Sequence, residues 1–134
     1  MSGKDIVSRL FDEVLNGGRL DSLGELLALE YVDHNPVKGL PAGVGGMRLK
    51  LRLLRQAFPD LRFTLDEVVE EGETVAARYH WEGTHRGEFL GLPPSGRSVC
   101  VAGMDFYRLR EGRLAEHWHT ADELGLLRQI GVIP

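Results

Sequence analysis

The sequence predicts an α+β fold, with helices first and a mostly antiparallel sheet after them. Three observations predict it. Apolar residues recur at helical spacing up to Phe58. From Arg62 onward the apolar period falls to two, the period of a strand. Gly72 and Glu111-Gly112 then sit where hairpin turns would join successive strands. Helices laid on one face of a curved sheet leave a conical hollow, so a cone enclosing a pocket is the expected architecture.

Ile6, Val7, Leu10, Phe11, Val14 and Leu15 form the apolar face of a first helix, which Gly17-Gly18 ends. Asp21 can cap a second, shorter helix holding Leu23, Leu26 and Leu27. Tyr31-Val32-Asp33-His34-Asn35-Pro36 reads as a short extended piece stopped by proline. Gly39 to Gly46 reads as a loop. A third helix is expected from about Val44 to Phe58, through Met47, Leu51 and Leu54, and Pro59 closes it. Strands are expected over Arg62 to Val69, through Val75, Ala77, Tyr79 and Trp81, over Ser98 to Leu109, and over Leu114 to Thr120. Thr84 to Gly96, rich in Gly and Pro, connects the middle two. Asp122 opens a C-terminal helix with Leu124, Leu127 and Ile130.

The 134 residues make one domain's worth of chain, taken as 1–134. Hydrophobic residues at 43% and charged residues at 27% are ordinary for a globular domain. A net charge of -4 and a pI of about 5.7 argue against a nucleic-acid surface, which needs a basic stripe. Arg48, Lys50, Arg52 and Arg55 interleave with Leu49, Leu51, Leu53 and Leu54 and read as a solvated helix face. A single cysteine, Cys100, excludes an intrachain disulfide and reads as a small buried hydrophobe. No segment reaches the length of a membrane span, and the N-terminus enters a helical pattern with no signal-peptide core. No membrane partner is therefore expected, and the cytoplasm is the expected location.

The last hairpin carries the chemistry. Asp105 and His119 lie symmetrically about Gly112, so a hairpin centred there sets them opposite each other. The same register faces Arg108 with Glu116 and Phe106 with Trp118, both favourable cross-strand pairs. A slip of one residue loses all three matches. A slip of two keeps the faces but pairs Asp105 with His117. A carboxylate bonded to one imidazole nitrogen fixes the tautomer and leaves the other nitrogen available. Such a histidine can take a proton from a carbon beside a carbonyl, or activate water. The same pair can also be a structural pin for the hairpin.

Several stretches resemble the SnoaL-like polyketide cyclase family, in its ester-cyclase branch. They are Asp33-His34-Asn35-Pro36, Phe58-Pro59-Asp60-Leu61, Gly83-Thr84-His85, Gly87-Glu88-Phe89, Gly91-Leu92-Pro93-Pro94, Phe106-Tyr107-Arg108, Gly112-Arg113-Leu114, Glu116-His117-Trp118 and Asp122 to Gly131. The resemblance implies the cone fold of nuclear transport factor 2 and ring closure by an intramolecular aldol reaction. It also implies an acid–base Asp on the last strand, with a His partner on the strand before. Here the first position falls on His119 and the second on Asp105, so the two residue types are exchanged. The resemblance further implies a homodimer joined through the outer face of the sheet.

The expected function is thus cofactor-independent acid–base chemistry on a small hydrophobic carbonyl compound or ester. His119 is the expected base, Asp105 its orienter, and His34 a donor to the substrate carbonyl. Asn35, Arg78, His117, Trp118 and Trp81 are the expected substrate contacts. Several have a plainer reading: Asn35 as turn chemistry, the tryptophans as core, His34 as a turn residue. Arg78 and His80 share one strand face and Tyr79 and Trp81 the other, and alternation alone does not say which lines the pocket. His117, His119 and Asp105 have the composition of a two-histidine, one-carboxylate set, but the spacing is nonspecific and no metal is expected. A hydrolase or isomerase of the same fold, and a non-catalytic ligand-binding or dimeric module, are the alternatives. A serine hydrolase is disfavoured, because no Gly-x-Ser-x-Gly elbow is present.

Overall fold

The computed structural model describes residues 1–134. Helix α1 (Gly3–Arg9) starts at a capping box, in which the Ser2 hydroxyl accepts the Asp5 N–H and the Asp5 carboxylate accepts the Ser2 N–H. It runs on into a π-helical segment, Leu10–Asn16, that buries Leu10, Phe11, Val14 and Leu15. A 3₁₀ turn (Leu20–Ser22) and α2 (Leu23–Leu26) follow. Asp21 lies inside that turn and caps nothing, because the chain enters α2 from a residue already in helical conformation.

Leu27 does not belong to the helix. It opens strand β1 (Leu27–Asp33), a full strand where the sequence shows only a short extended piece. Helix α3 (Gly43–Ala57) turns Gly46, Met47, Leu51 and Ala57 inward. Gly46 is required there, since a Cβ at that position would sit 1.8 Å from the Pro41 carbonyl oxygen. The contact presses the 36–42 loop onto the helix. Strands β2 (Arg62–Glu71), β3 (Thr74–Thr84), β4 (Ser98–Arg110) and β5 (Arg113–Ala121) come next, and α4 (Glu123–Gln129) ends the chain. Asp122 caps α4 by accepting the Gly125 N–H at 2.9 Å.

The sheet order is β1-β5-β4-β3-β2. All neighbours are antiparallel except β1, which runs parallel to β5 and sets Asp33 beside His117. Burial along β4 alternates without a break, odd residues in and even residues out. The helices cover the inner face, and 27 buried residues form one continuous core there. Phe58, Phe63, Tyr79 and Trp81 stack against each other in its middle. Full burial of an aromatic such as Phe58 contributes roughly 1.5–3 kcal/mol.

Alternation also puts Cys100 on the outer face, exposed, where the sequence suggests burial. Its backbone N–H and carbonyl are held by Gln129. The basic face of α3 is only partly solvated. Arg55 donates to the Leu15 and Asn16 carbonyls, and Lys50 is half-buried.

The last hairpin reaches its expected register by an unexpected route. Glu111 and Gly112 form a two-residue turn with φ of 51° and 75°, both in the left-handed region. That turn alone would pair Arg108 with Ala115. A bulge between Arg108 and Leu109 absorbs one residue of β5, after which Arg108 faces Glu116, Phe106 faces Trp118 and Asp105 faces His119.

A candidate active site of two histidine–aspartate pairs

On the inner face of β5, His117 and His119 stand two residues apart with ring centroids 4.6 Å from each other. The backbones of Asp105 and His119 are cross-strand partners, but their side chains do not form the expected pair. Asp105 Oδ1 instead lies 3.0 Å from His117 Nε2, one rung along. His119 Nε2 lies 3.0 and 3.1 Å from the two oxygens of Asp33 on β1. The parallel strand β1 supplies a nearer carboxylate than β4 does, so each histidine has its own acid.

The first pair is closed. Tyr107 donates its hydroxyl to Asp105 Oδ2 at 2.8 Å, and the Tyr107 ring stacks on His117 at 4.4 Å. The other ring nitrogen of His117, Nδ1, lies 3.1 Å from the Tyr31 hydroxyl. With Nε2–H donated to Asp105, Nδ1 accepts the Tyr31 proton, and every polar atom of the set is satisfied. Burial pushes His117 below the ordinary imidazole range, against the pull of Asp105 towards the charged form. Burial likewise raises the Tyr31 and Tyr107 phenols, with nearby carboxylates adding to it. The His117 ring is thereby favoured in its neutral form, and both phenols stay protonated.

The second pair is open on one side. Burial works to raise the Asp33 carboxyl, but the His119 hydrogen bond, the Asn35 N–H and two nearby imidazoles outweigh it and bring the group down to about 2. Asn35 serves both members. Its N–H donates to Asp33 Oδ1 at 2.8 Å, and its side-chain oxygen accepts the His119 N–H at 2.9 Å. An ionised Asp33 can only accept, so His119 carries its proton on Nε2 and leaves Nδ1 with a free lone pair.

Asp33 opens onto a cavity of about 120 Å³ between β1, the 36–42 loop and α3. Tyr31, Leu40, Met47 and Lys50 line it with Asp33. A larger hollow of about 180 Å³, against Val14, Leu15, Leu51 and Arg55, holds none of the paired residues. Asp33, His117 and His119 each offer one ligand atom within 4.8 Å of the others, the donor set of a two-histidine, one-carboxylate metal centre. Asp33 replaces Asp105 in that set. Each of these side chains already has a hydrogen-bond partner within the protein.

Three expected site residues lie on the wrong face. His34 stacks on Trp118 at 4.3 Å and bonds Glu116 at 3.0 Å, outside the sheet. Trp118 is there by alternation, with Phe106 at 5.9 Å and the Arg108 guanidinium 5.4 Å above its ring. Arg78 is exposed and paired with Glu67 at 3.5 Å. None of the three reaches the inner hollow. Trp81 does face inward, but it packs on Phe58 in the core. Asn35 is exposed and holds the second pair through the Asp33 carboxylate and the His119 backbone N–H. Tyr31 and Lys50 have no signal in the sequence that marks them out, and Asp33 and Tyr107 fall in stretches that resemble the family but carry no assigned role there. Asp33 is two positions before Asn35, and the sheet neighbour that gives it a role is distant in sequence.

These features define a small α+β cone with a buried acid–imidazole site beside a narrow pocket. The family profile for SnoaL-like polyketide cyclase matches residues 5–130, and the chain belongs to that family. It is 30% identical to aklanonic acid methyl ester cyclase DnrD of Streptomyces peucetius, over 95% of this chain and 89% of that protein. It is 26% identical to nogalonic acid methyl ester cyclase of Streptomyces nogalater, over 87% and 88%. Among solved structures, TsrD from Streptomyces laurentii superposes with a TM-score of 0.87 at 34% identity, covering 99% of this chain and 100% of that one. The nuclear transport factor 2-like cone is thus the fold of this chain, and its relatives are polyketide and ester cyclases. No helix is long and apolar enough to cross a membrane.

Proposed function

We propose that the protein is a cofactor-independent cyclase acting on a small polyketide-like ester, with His119 as the acid–base residue. The observation that carries this reading is the clasp of His119 Nε2 by both oxygens of Asp33, which leaves Nδ1 unprotonated. Nδ1 removes a proton from a carbon flanked by carbonyl groups, and the electron pair moves onto a carbonyl oxygen as an enolate. The enolate carbon attacks a second carbonyl of the same molecule, forming the new ring bond. The resulting alkoxide takes the proton back from His119. Atoms and charge balance without an oxidant, a reductant or a cofactor.

Asp33 is the positioning residue in this reading, and Asn35 fixes both partners. His117 and Asp105 form the rigid floor beneath them. Names of relatives favour ring closure over hydration or isomerisation. The test is turnover of an aklanonic-type methyl ester. His119→Ala should lower the rate by about 10²–10⁴, and wild-type turnover by that variant would overturn the assignment.

The same reading includes a homodimer in the cytoplasm. Val32, Val69, Met104 and Phe106 are exposed on the sheet, an apolar surface that suits a second copy. Light scattering at a monomer mass would remove the dimer.

A further inference from the structure

Lys50 is the one feature of the pocket that the acid–base pairs leave unused. It stands on α3, three residues after Met47, and is half-buried. Of the twelve residues lining the cavity, Lys50 is the only cation and Asp33 the only anion. The remainder are apolar apart from the Tyr31 hydroxyl, whose proton goes to His117. Asp33 is committed as well, since its oxygens accept from His119 and Asn35. The Lys50 ammonium therefore has no ion-pair partner among the acids of its own pocket.

On the pocket side Lys50 adjoins a hollow walled by Leu40, Met47, Pro36 and Pro41, where apolar neighbours screen a charge less than water does. Its charge already reaches His117, where it adds to the forces that keep that ring neutral. His119 does not itself line this hollow, but its partner Asp33 does, so a carbonyl oxygen that turns negative beside the pair forms at the edge of this space. The hydroxyls of Tyr31 and Tyr107 are both engaged elsewhere, which leaves Lys50 as the side chain with free donors on the pocket side.

We propose that Lys50 is the oxyanion-binding residue of this site, its ammonium taking the enolate oxygen that forms as His119 removes the proton. The proposal rests on the cyclase reading above, and it adds the group that stabilises the intermediate. It also narrows the substrate class: the reacting carbonyl must lie on the α3 side of the pocket, with its acidic carbon towards β5.

Two measurements test it. In the first, turnover of the methyl ester is compared in wild type, Lys50→Met and Lys50→Arg. Lys50→Met should lower kcat by about 10²–10³, the effect of removing one oxyanion donor, and Lys50→Arg should recover a large part of it. A rise in KM at unchanged kcat would mean that Lys50 binds a pre-existing substrate carboxylate, and would overturn the proposal. Equal losses in both variants would point to packing and not charge, and would overturn it too.

In the second, 4-nitrophenol is bound as a phenolate probe, and its visible absorbance reports the ionised form. Wild type should hold the bound dye as the anion at a pH where the free dye is neutral. Lys50→Met should lose that preference and Lys50→Arg keep it. A dye that binds wild type and Lys50→Met with the same ionisation, or does not bind wild type at all, overturns the proposal. The dye needs no turnover. Should the dye shift depend on Lys50 while His119→Ala retains full activity, the cyclase mechanism falls and the anion site stands.

Discussion

The two faces of the β4–β5 hairpin differ in what a polar side chain can do there. On the inner face Asp105, Tyr107, His117 and His119 lie among apolar helices, and each has found a partner within 3.1 Å. On the outer face Arg108, Glu116, His34 and Trp118 make an equally well-connected cluster in contact with water. Both clusters pair acids with bases across the same strands. Only the inner one is shielded from solvent, so there a missing partner leaves a stranded donor. The outer cluster satisfies the cross-strand pairing rules and faces solvent, away from the pocket.

The contrast can be broken in several places. The largest effect should come from Asp33→Asn. An amide donates to His119 Nε2, which moves the imidazole proton to Nδ1 and removes the free lone pair. Activity should drop by a factor on the order of 10²–10⁴ with little change in fold, and kcat measured alongside circular dichroism checks it. Unchanged activity would mean that Asp33 does not set the tautomer.

Next is Asp105→Ala. It strands the Tyr107 hydroxyl and His117 Nε2–H in the core, each at about 1–3 kcal/mol. Denaturant unfolding should show a loss of roughly 2–6 kcal/mol. His34→Ala, the matching deletion on the outer face, should cost under about 1 kcal/mol. Similar losses for the two would erase the distinction between the faces.

The smallest effect is the pH dependence of stability. His117 has its pKa lowered in the fold, so the unfolded chain binds the proton first, and stability should decline as pH falls below the ordinary imidazole value of 6.5. Asp33 adds a second decline at lower pH. Its carboxylate stabilises the fold fully above its ordinary 3.8, and that contribution disappears as pH drops towards about 2. Asp33→Asn should remove the second decline and leave the first.

Much of the site's framework was legible along the chain. The period change after Phe58 separates helices from strands, and the cross-strand matches around Gly112 place Asp105 opposite His119. That His119 shares a sheet face with Asp105 follows from the same register, whereas alternation counted from Leu114 would put it on the other face, because the bulge at Arg108/Leu109 is not legible in the sequence. The pairing of side chains was not legible. Asp105 reaches His117 because a hydrogen bond on a twisted sheet need not follow the backbone register. Asp33 reaches His119 because β1 docks parallel to β5, a contact more than eighty residues apart in sequence.

What the sequence by itself determined is the local order: helix-period segments, two-period strands, turn positions, and which residues share a strand face. These depend on neighbours a few positions away, through backbone geometry and side-chain alternation. Only the tertiary structure decided which acid serves which histidine, that His34 and Trp118 point to water, and that Lys50 faces the cavity. Those outcomes depend on how β1 and α3 dock on the sheet, and docking is set by long-range packing that no short window of sequence contains.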